Sequence, residues 1–573
     1  MSDTHFDAVI VGSGFGGSVT AYRLAEAGLR VCVLERGRPY PPGSYPRSPY
    51  EMSRNVWDPS EGLYGLFNVW SFRGIEAIVG SGLGGGSLIY ANVHLRKDER
   101  WFVREDPRQG GYEYWPVTRA DLDPHYDQVE RMLNVQRYPF DHAPYRHTPK
   151  TQAMQEAAGR LGLPWLLPPL AVTFANQGRP PVPGEPIEEA LPNLHGRTRY
   201  TCRLCGECDI GCNYGSKNTL DVTYLSAARH HGADLRTLCE VRFFEPTDGG
   251  FAVFYARHDP TRPSHHPARD ELTRLTTDRL ILAAGTLGTT FLLLKNRAAF
   301  PHLSRQLGRQ FCGNGDLLAF AHRARQEGRP RVLSPSFGPV ITSAIRLPDA
   351  LDGDGAPGRG AYIEDAGLPA FANWIVETSN TPAVLRRLVG YSLKRLWATI
   401  TRNPQTDISG TLMDLLGHGH VSASSLPLLG MGRDIADGTL SLHRNRLALD
   451  WRLAASKPYF DRLRNTMRDI AHAWGARFVS NPTWHLNRVV TVHPLGGCSM
   501  GETAEEGVTD PYGEVFHYPG LFVADGSVMP GPVGPNPALT IAALANRTAD
   551  RILAQRPTPR RATSSNAPRP ASA

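Results

Sequence analysis

FDAVIVGSGFGGSVTAYRLAEAGLRVCVLERG, residues 6–37, reads as one complete βαβ unit. A buried β run from Ala8 to Val11 leads into a glycine turn, apolar residues follow at helical spacing (Val19, Tyr22, Leu24, Ala27), and a second strand from Val31 to Leu34 ends in Glu35. Gly12 allows the tight turn, Gly14 lets the backbone approach a pyrophosphate, and Gly17 lets the helix lie close to the strand. The helix N-terminus then offers unpaired N–H groups to the phosphates. Glu35 is placed to accept hydrogen bonds from ribose hydroxyls, and its charge disfavours a 2′-phosphate. A lone G-x-G-x-x-G occurs in many loops. Strand, glycines, helix, strand and terminal acid in this order specify a Rossmann-type dinucleotide site, without deciding between FAD and NAD.

Working outward, residues 80–92, GSGLGGGSLIYAN, hold more glycine than a turn needs and suggest backbone packed against a flat or anionic ligand. LILAAGTLGTTFLLLK (280–295) switches from a β run to an apolar helix after Gly285 and Gly288. Near the C-terminus stands VHPLGGCSMG (492–501). YPGLFVADGSVMPGPVGPNPALTIAALANRTADRIL (518–553) follows, where a strand ends at Asp525, a Pro/Gly loop intervenes and a helix starts at about Pro537.

A chain of 573 residues is too long for one ordinary core, so about two to four domains or one large composite are expected. With 41% hydrophobic and 20% charged residues, 57 Gly and 47 Pro, the composition is globular and loop-rich. The net charge of +7 is modest, is densest after residue 555, and comes with no nucleic-acid motif, so it speaks for solubility rather than for DNA or RNA. Four of the eight cysteines are isolated (Cys32, Cys239, Cys312, Cys498), which does not describe a secreted disulfide framework. MSDTHFDAVIVGSG has no basic leader region and no apolar run long enough to span a bilayer. A cytoplasmic protein is expected, compatible with a peripheral membrane contact. Residues 556–573 carry almost nothing apolar to bury and read as a disordered tail.

The four glycine-bearing stretches, in this order and at these distances, closely resemble the glucose–methanol–choline (GMC) family of FAD oxidoreductases, over both ends and the middle of the chain. LGRQFCGNGDLLAF (307–320) and GMGRDIADGTLSLHRNRLALDW (430–451) resemble its cholesterol oxidase-like branch. The resemblance implies an α/β protein with a discontinuous Rossmann-type FAD-binding domain (1–100, 215–318 and 486–555). An α+β substrate domain with an antiparallel sheet would fill the rest (101–214 and 319–485). It implies non-covalent FAD, with Gly12, Gly14, Gly17 and Glu35 on the ADP half and Gly85, Gly86 and Asn92 near the isoalloxazine. Val241 would meet the adenine, and Asp525 the flavin side chain.

Oxidising an alcohol with a flavin requires a base for the hydroxyl proton while the carbinol hydride leaves. By resemblance that base is His493 of H-P-x-G-G, partnered by Asn536 of G-x-N-P. Asn536 opens a helix whose dipole favours negative charge on the substrate oxygen. Taken singly, a His beside Pro and two glycines is a satisfied loop histidine; joined to GPNPALT it reads as catalytic. His472, His485 and His517 read as surface or packing residues. The favoured substrate is an apolar alcohol such as a 3β-hydroxysteroid, with the acceptor left open between O2 and a quinone or cytochrome. The alternatives are a dehydrogenase of another alcohol or sugar, and a flavin-binding electron-transfer module with no alcohol turnover. The branch also raises a Δ5-to-Δ4 isomerisation, for which Glu364 and Glu377 are the candidate carboxylates. Residues 50–74, rich in Trp, Phe and Tyr, suit an apolar chamber or plain core equally.

TCRLCGECDIGC (201–212) holds the other four cysteines, Cys202, Cys205, Cys208 and Cys212. C-x2-C-x2-C-x3-C has bacterial ferredoxin spacing, with Asn213 where that run has proline. An iron–sulfur cluster on three or all four cysteines, a zinc site, a disulfide and packed thiols stay open at this point. Zinc is less natural without two separated C-x2-C knuckles.

Overall fold

The computed structural model describes residues 5–105, 111–261, 272–369 and 420–555. The elements that position the site are, in chain order, β1 (His5–Val11), α1 (Phe15–Glu26), β2 (Val31–Leu34), β3 (Trp165–Leu166), β4 (Asp234–Arg236), β5 (Cys239–Thr247), β6 (Gly250–Arg257), β7 (Thr273–Leu282) and α2 (Gly285–Lys295). There follow β8 (Leu317–His322), β9 (Ala344–Leu347), β10 (Ala361–Asp365), β11 (Leu426–Gly432), α3 (Lys457–Ala473), β12 (Arg477–Ser480), β13 (Leu521–Val523) and α4 (Ala538–Ala554).

Seven strands form the first sheet in the order β4-β2-β1-β7-β6-β5, with β13 also pairing to β7. Its β4, β2, β1, β7 and β13 contacts are parallel, and β5-β6-β7 is an antiparallel meander. Ala8, Val9 and Ile10 of β1 are fully buried, as the continuous apolar run of a strand covered on both faces requires. The second sheet is antiparallel throughout, in the order β3-β9-β10-β11-β8-β12. Helix α3 crosses it and buries Tyr459, Phe460, Leu463, Met467 and Ile470, one face at helical spacing. Gly430 of β11 lets the helix settle, since a Cβ there would stand 2.7 Å from Met467 Cε.

The mixed α/β architecture agrees with the sequence reading: one Rossmann-type sheet collected from distant segments and one antiparallel sheet. Strand β8, Leu317–His322, belongs wholly to the second sheet, so the chain crosses between sheets just before Leu317. In the 50–74 stretch, Trp57, Tyr64 and Leu66 are buried while Tyr50 and Val69 are exposed. Trp57 and Tyr64 pack edge to face on each other and against the His258 ring, so this part of the stretch serves as core. The 556–573 tail and Glu377 lie outside the described residues. No helix of the described residues is long and apolar enough to cross a membrane.

Candidate active site

Two glycine turns meet at the end of β1. Ser13 Oγ receives the Gly84 N–H at 3.0 Å, and a Cβ on Gly85 would come within 2.6 Å of Gly14 Cα. The 80–92 loop is therefore seated backbone on backbone against the first turn. The glycines divide into two kinds. A Cβ on Gly12 would lie 2.4 Å from Ala283 O and one on Gly17 would lie 2.0 Å from Gly12 O, whereas above Gly14 and Gly86 nothing stands within 4 Å. The first pair is packed and the second presents bare backbone to open space, the cradle a pyrophosphate and flavin need. Asn92, buried at the end of the loop, has both carboxamide atoms free of protein hydrogen bonds. These residues fit FAD.

Glu35 stands at the end of β2, where its carboxylate accepts from Ser13 N (3.0 Å), Ser13 Oγ (2.6 Å) and Gly37 N (2.8 Å). A carboxylate has about four acceptor positions, so one remains for a ribose hydroxyl. The Glu35 carbonyl takes the N–H of Cys239 at 2.8 Å, which draws the start of β5, and with it the buried Val241, to the same edge. The Asp525 side chain is engaged by protein. Its carboxylate accepts from Gly285 N, Thr289 Oγ1, Ser527 N and Ser527 Oγ, which fills its acceptor positions and ties β13 to the start of α2. Gly16, which sequence reading passed over, is packed harder than the motif glycines: a Cβ on it would lie 1.3 Å from Ala524 O.

His493 and Asn536 are both organised by the short turn Gly313–Asp316 just before β8, a segment the sequence marked only as family-like. The His493 Nδ1 lies 2.8 Å from Asp316 Oδ1, while Asp316 Oδ2 accepts from Thr491 Oγ1 at 2.9 Å and Val492 N at 2.8 Å. The Asp316 side chain is 1% exposed and that of His493 14%. A buried carboxylate facing Nδ1 keeps the proton on that nitrogen, so Nε2 is left as the acceptor. Asn314 grips the other loop. Its Oδ1 accepts from Gly534 N at 2.9 Å and its Nδ2 donates to Pro535 O at 3.1 Å. Lys97, fully buried, donates to Pro532 O at 2.8 Å and Val533 O at 3.0 Å from behind. Pro537 and α4 follow, which leaves Asn536 at the helix start.

Asn536 Nδ2 donates to Glu364 Oε2 at 3.4 Å, and its Oδ1 has no protein partner. Glu364, on β10, is fully buried with Oε1 unpartnered. Burial pushes its carboxyl up to about 8, with the nearby Asp365 and Asp316 adding to the rise and the Asn536 amide opposing it. The first sheet's loops thus bring His493 and Asn536, the second sheet brings Glu364, and the turn between them holds the set. Asp434 steadies the same turn by accepting the Gly313 N–H at 3.1 Å, and burial raises its carboxyl to about 7. His472, His485 and His517 are exposed, away from this arrangement.

All four cysteines of the 201–212 loop are free, and all four line one pocket. Among the described residues no three His, Cys, Asp or Glu side chains are placed to hold a single metal ion.

Residues 7–48 match the family model described as FAD dependent oxidoreductase, and residues 459–545 the one described as GMC oxidoreductase. The chain is 32% identical to a cholesterol oxidase of Mycobacterium tuberculosis, over 95% of this chain and 90% of that protein. It is 28% identical to a cholesterol oxidase of Acinetobacter baumannii, over 97% and 96%. It superposes on pyridoxine 4-oxidase from Mesorbium loti with a TM-score of 0.56 at 16% identity, over 96% of this chain and 99% of that one. The chain belongs to the GMC oxidoreductase family, and is an FAD-dependent oxidoreductase acting on CH–OH donors.

Proposed function

We propose that the protein oxidises the hydroxyl of an apolar, sterol-like alcohol to a carbonyl, with His493 as the base. The observation that carries this reading is the Asp316–His493 contact at 2.8 Å, because it leaves Nε2 as a proton acceptor. The Nε2 lone pair takes the hydroxyl proton, and the imidazolium so formed is stabilised by the Asp316 carboxylate. Asn536 donates to the substrate oxygen as negative charge gathers on it. Bound FAD supplies the two-electron acceptor for the carbinol hydride.

Support for a sterol comes from the cholesterol oxidases to which the chain is similar and from Glu364. A 3-keto-Δ5 product needs a proton moved from C4 to C6, and a buried carboxyl beside Asn536 is suited to carry it. With a carboxyl titrating at about 8, the ionised base becomes more abundant as pH rises toward that value. Isomerisation should therefore quicken between pH 6 and 8 while oxidation does not follow the same curve. O2 is the acceptor in this reading.

The test is anaerobic mixing with cholesterol, a long-chain primary alcohol and a sugar alcohol, following bleaching of the flavin band. Cholesterol should bleach it fastest. Equal or faster bleaching by the other two would refute the sterol assignment. His493→Ala should keep the yellow colour and lose about 10²–10⁴-fold in bleaching rate; an unchanged rate would refute the base.

A further inference from the structure

We propose that Asp434 is a positioning residue for the alcohol oxidation: its carboxylate, seated against backbone N–H groups of the Gly313–Asp316 turn, holds in register the two side chains that aim His493 and Asn536. The inference rests on the reading of those two residues as the catalytic pair. Gly313 N donates to Asp434 Oδ2 at 3.1 Å, and the Gly315 N–H bonds the same carboxyl. Asn314 and Gly315 are both left-handed, at φ 53° and 66°, and the curled backbone brings the two N–H groups to one carboxyl, a concavity that suits an anion. The carbonyls of the turn are held by neutral groups instead. Gly313 O accepts from Thr491 Oγ1 at 3.0 Å, Asn314 O from Gly432 N at 2.9 Å, and Gly315 O from the Tyr459 hydroxyl at 2.9 Å. Asp434 is itself fixed just past the end of β11, where its N–H donates to Gly432 O at 3.2 Å and Ile435 N donates to Ser456 Oγ at 2.8 Å.

One carboxylate therefore governs two arms. Asp316 leads from the turn to His493 Nδ1 at 2.8 Å, and Asn314 leads to Gly534 N at 2.9 Å and Pro535 O at 3.1 Å, beside Asn536. A shift of the turn moves both at once. Asp434 is fully buried and its Oδ1 has no hydrogen-bond partner, an expense that packing alone does not call for. Burial raises its carboxyl to about 7 and the neighbouring Asp316 adds to the rise, while the Gly313 and Gly315 N–H groups and Arg359 oppose it. The buried Cys312 thiol and the Tyr459 phenol face it as well. Because the two N–H groups favour ionisation, they bond the carboxylate more strongly than the acid. Above about pH 7 the carboxylate grips the turn firmly, and as pH falls through that value the neutral acid holds it with weaker bonds. The protonated group keeps one oxygen toward Gly313, so the turn loosens without being released.

The experiment is anaerobic flavin reduction by cholesterol, or by whichever alcohol of the panel above bleaches the flavin fastest, in the wild type and in Asp434→Asn at equal FAD content. The amide matches the protonated carboxyl in shape, accepts from Gly313 and cannot ionise. Its limiting rate should lie about tenfold below the wild type at about pH 9, with the half-saturating substrate concentration changed less than about twofold. The ratio of the two rates should shrink toward one by about pH 5.5, with its midpoint at about 7. Whatever His493 contributes to the pH dependence is common to both proteins and cancels in the ratio. A ratio that is constant across the range, or a loss confined to the half-saturating concentration, would overturn the proposal. If the amide variant does not fold, Arg359→Gln decides. Arg359 is partly exposed and favours the ionised Asp434, so the ratio of wild-type to variant rate should peak at about pH 7 and fall away on both sides; a flat ratio would overturn the proposal equally. His493→Ala is read alongside. An unchanged rate there sinks the oxidation reading, whereas a constant Asp434→Asn ratio with the His493→Ala loss intact sinks only the role of Asp434.

Discussion

The turn at 313–316 and the loop at 202–212 are both built on left-handed residues, Asn314 and Gly315 in one, Leu204, Gly206 and Gly211 in the other. They treat their reactive side chains in opposite ways. In the turn every carboxylate and carboxamide is engaged by protein, and what it leaves free on its neighbours is Nε2 of His493 and the second N–H of Asn536 Nδ2, whose first goes to Glu364. In the loop the backbone is held from outside, and the four free thiols line a pocket with Lys217, whose charge faces the carboxylates of Asp209 and Asp221. A site that works on a passing substrate must fix protons before the substrate arrives, and so it is complete in protein alone. The loop, by contrast, balances its buried lysine against carboxylates of its own neighbourhood and fixes no proton toward open space.

The contrast is broken most directly at Asp316. Asp316→Asn keeps size and shape but sets an amide against Nδ1, which favours the proton on Nε2 and removes the acceptor. Anaerobic flavin reduction by substrate should fall about 10²–10⁴-fold with KM little changed. A loss confined to KM would show that Asp316 only shapes the pocket.

A smaller effect is expected at Asn314. Its φ of 53° suits glycine equally, so Asn314→Gly removes the carboxamide that clamps Gly534 and Pro535 without straining the backbone. Lys97 still holds Pro532 and Val533 from behind. Loosening one of two supports of Asn536 should lower kcat/KM about tenfold, equivalent to about 1.4 kcal/mol of transition-state stabilisation. Steady-state kinetics at constant FAD occupancy reads this, and an unchanged value would mean that Lys97 alone suffices.

What could be read from the sequence follows from how far apart partners lie along the chain. The first βαβ unit is local: β1, α1 and β2 fall where the apolar runs and glycines put them, with β2 at Val31–Leu34 as expected. Both members of the proposed catalytic pair were nameable because each sits in its own short motif. The residues that orient them were not, since Asp316 and Asn314 lie 177 and 220 positions from their partners, and nothing in CGNGD states which loops it will meet. Gly16 was missed for the same reason: its constraint comes from Ala524, far along the chain. Glu364 was legible as a carboxylate beside apolar residues and nothing more. Its place is set by the register of β10 against β11, Glu364 opposite Leu429, and by the Asn536 amide that donates to it.

Glu364 also gives the smallest measurable consequence. Folding takes its carboxyl from an ordinary 4.5 to about 8, so across that window the folded chain holds a proton the unfolded chain has released. Stability attached to this group therefore falls as pH rises from about 4.5 and has finished falling above about 8. Glu364→Gln removes the titration while keeping an oxygen to accept from Asn536. At pH 5 the variant and the wild type should melt within about 1 °C of each other, and at pH 8.5 the variant should melt about 1–3 °C higher. A group that costs stability where the enzyme works, and that a neutral isostere relieves, is retained for chemistry rather than for packing. Equal melting temperatures at both pH values would instead mean that the carboxyl is paired or hydrated in solution, and the case for Glu364 as a proton carrier would weaken with it.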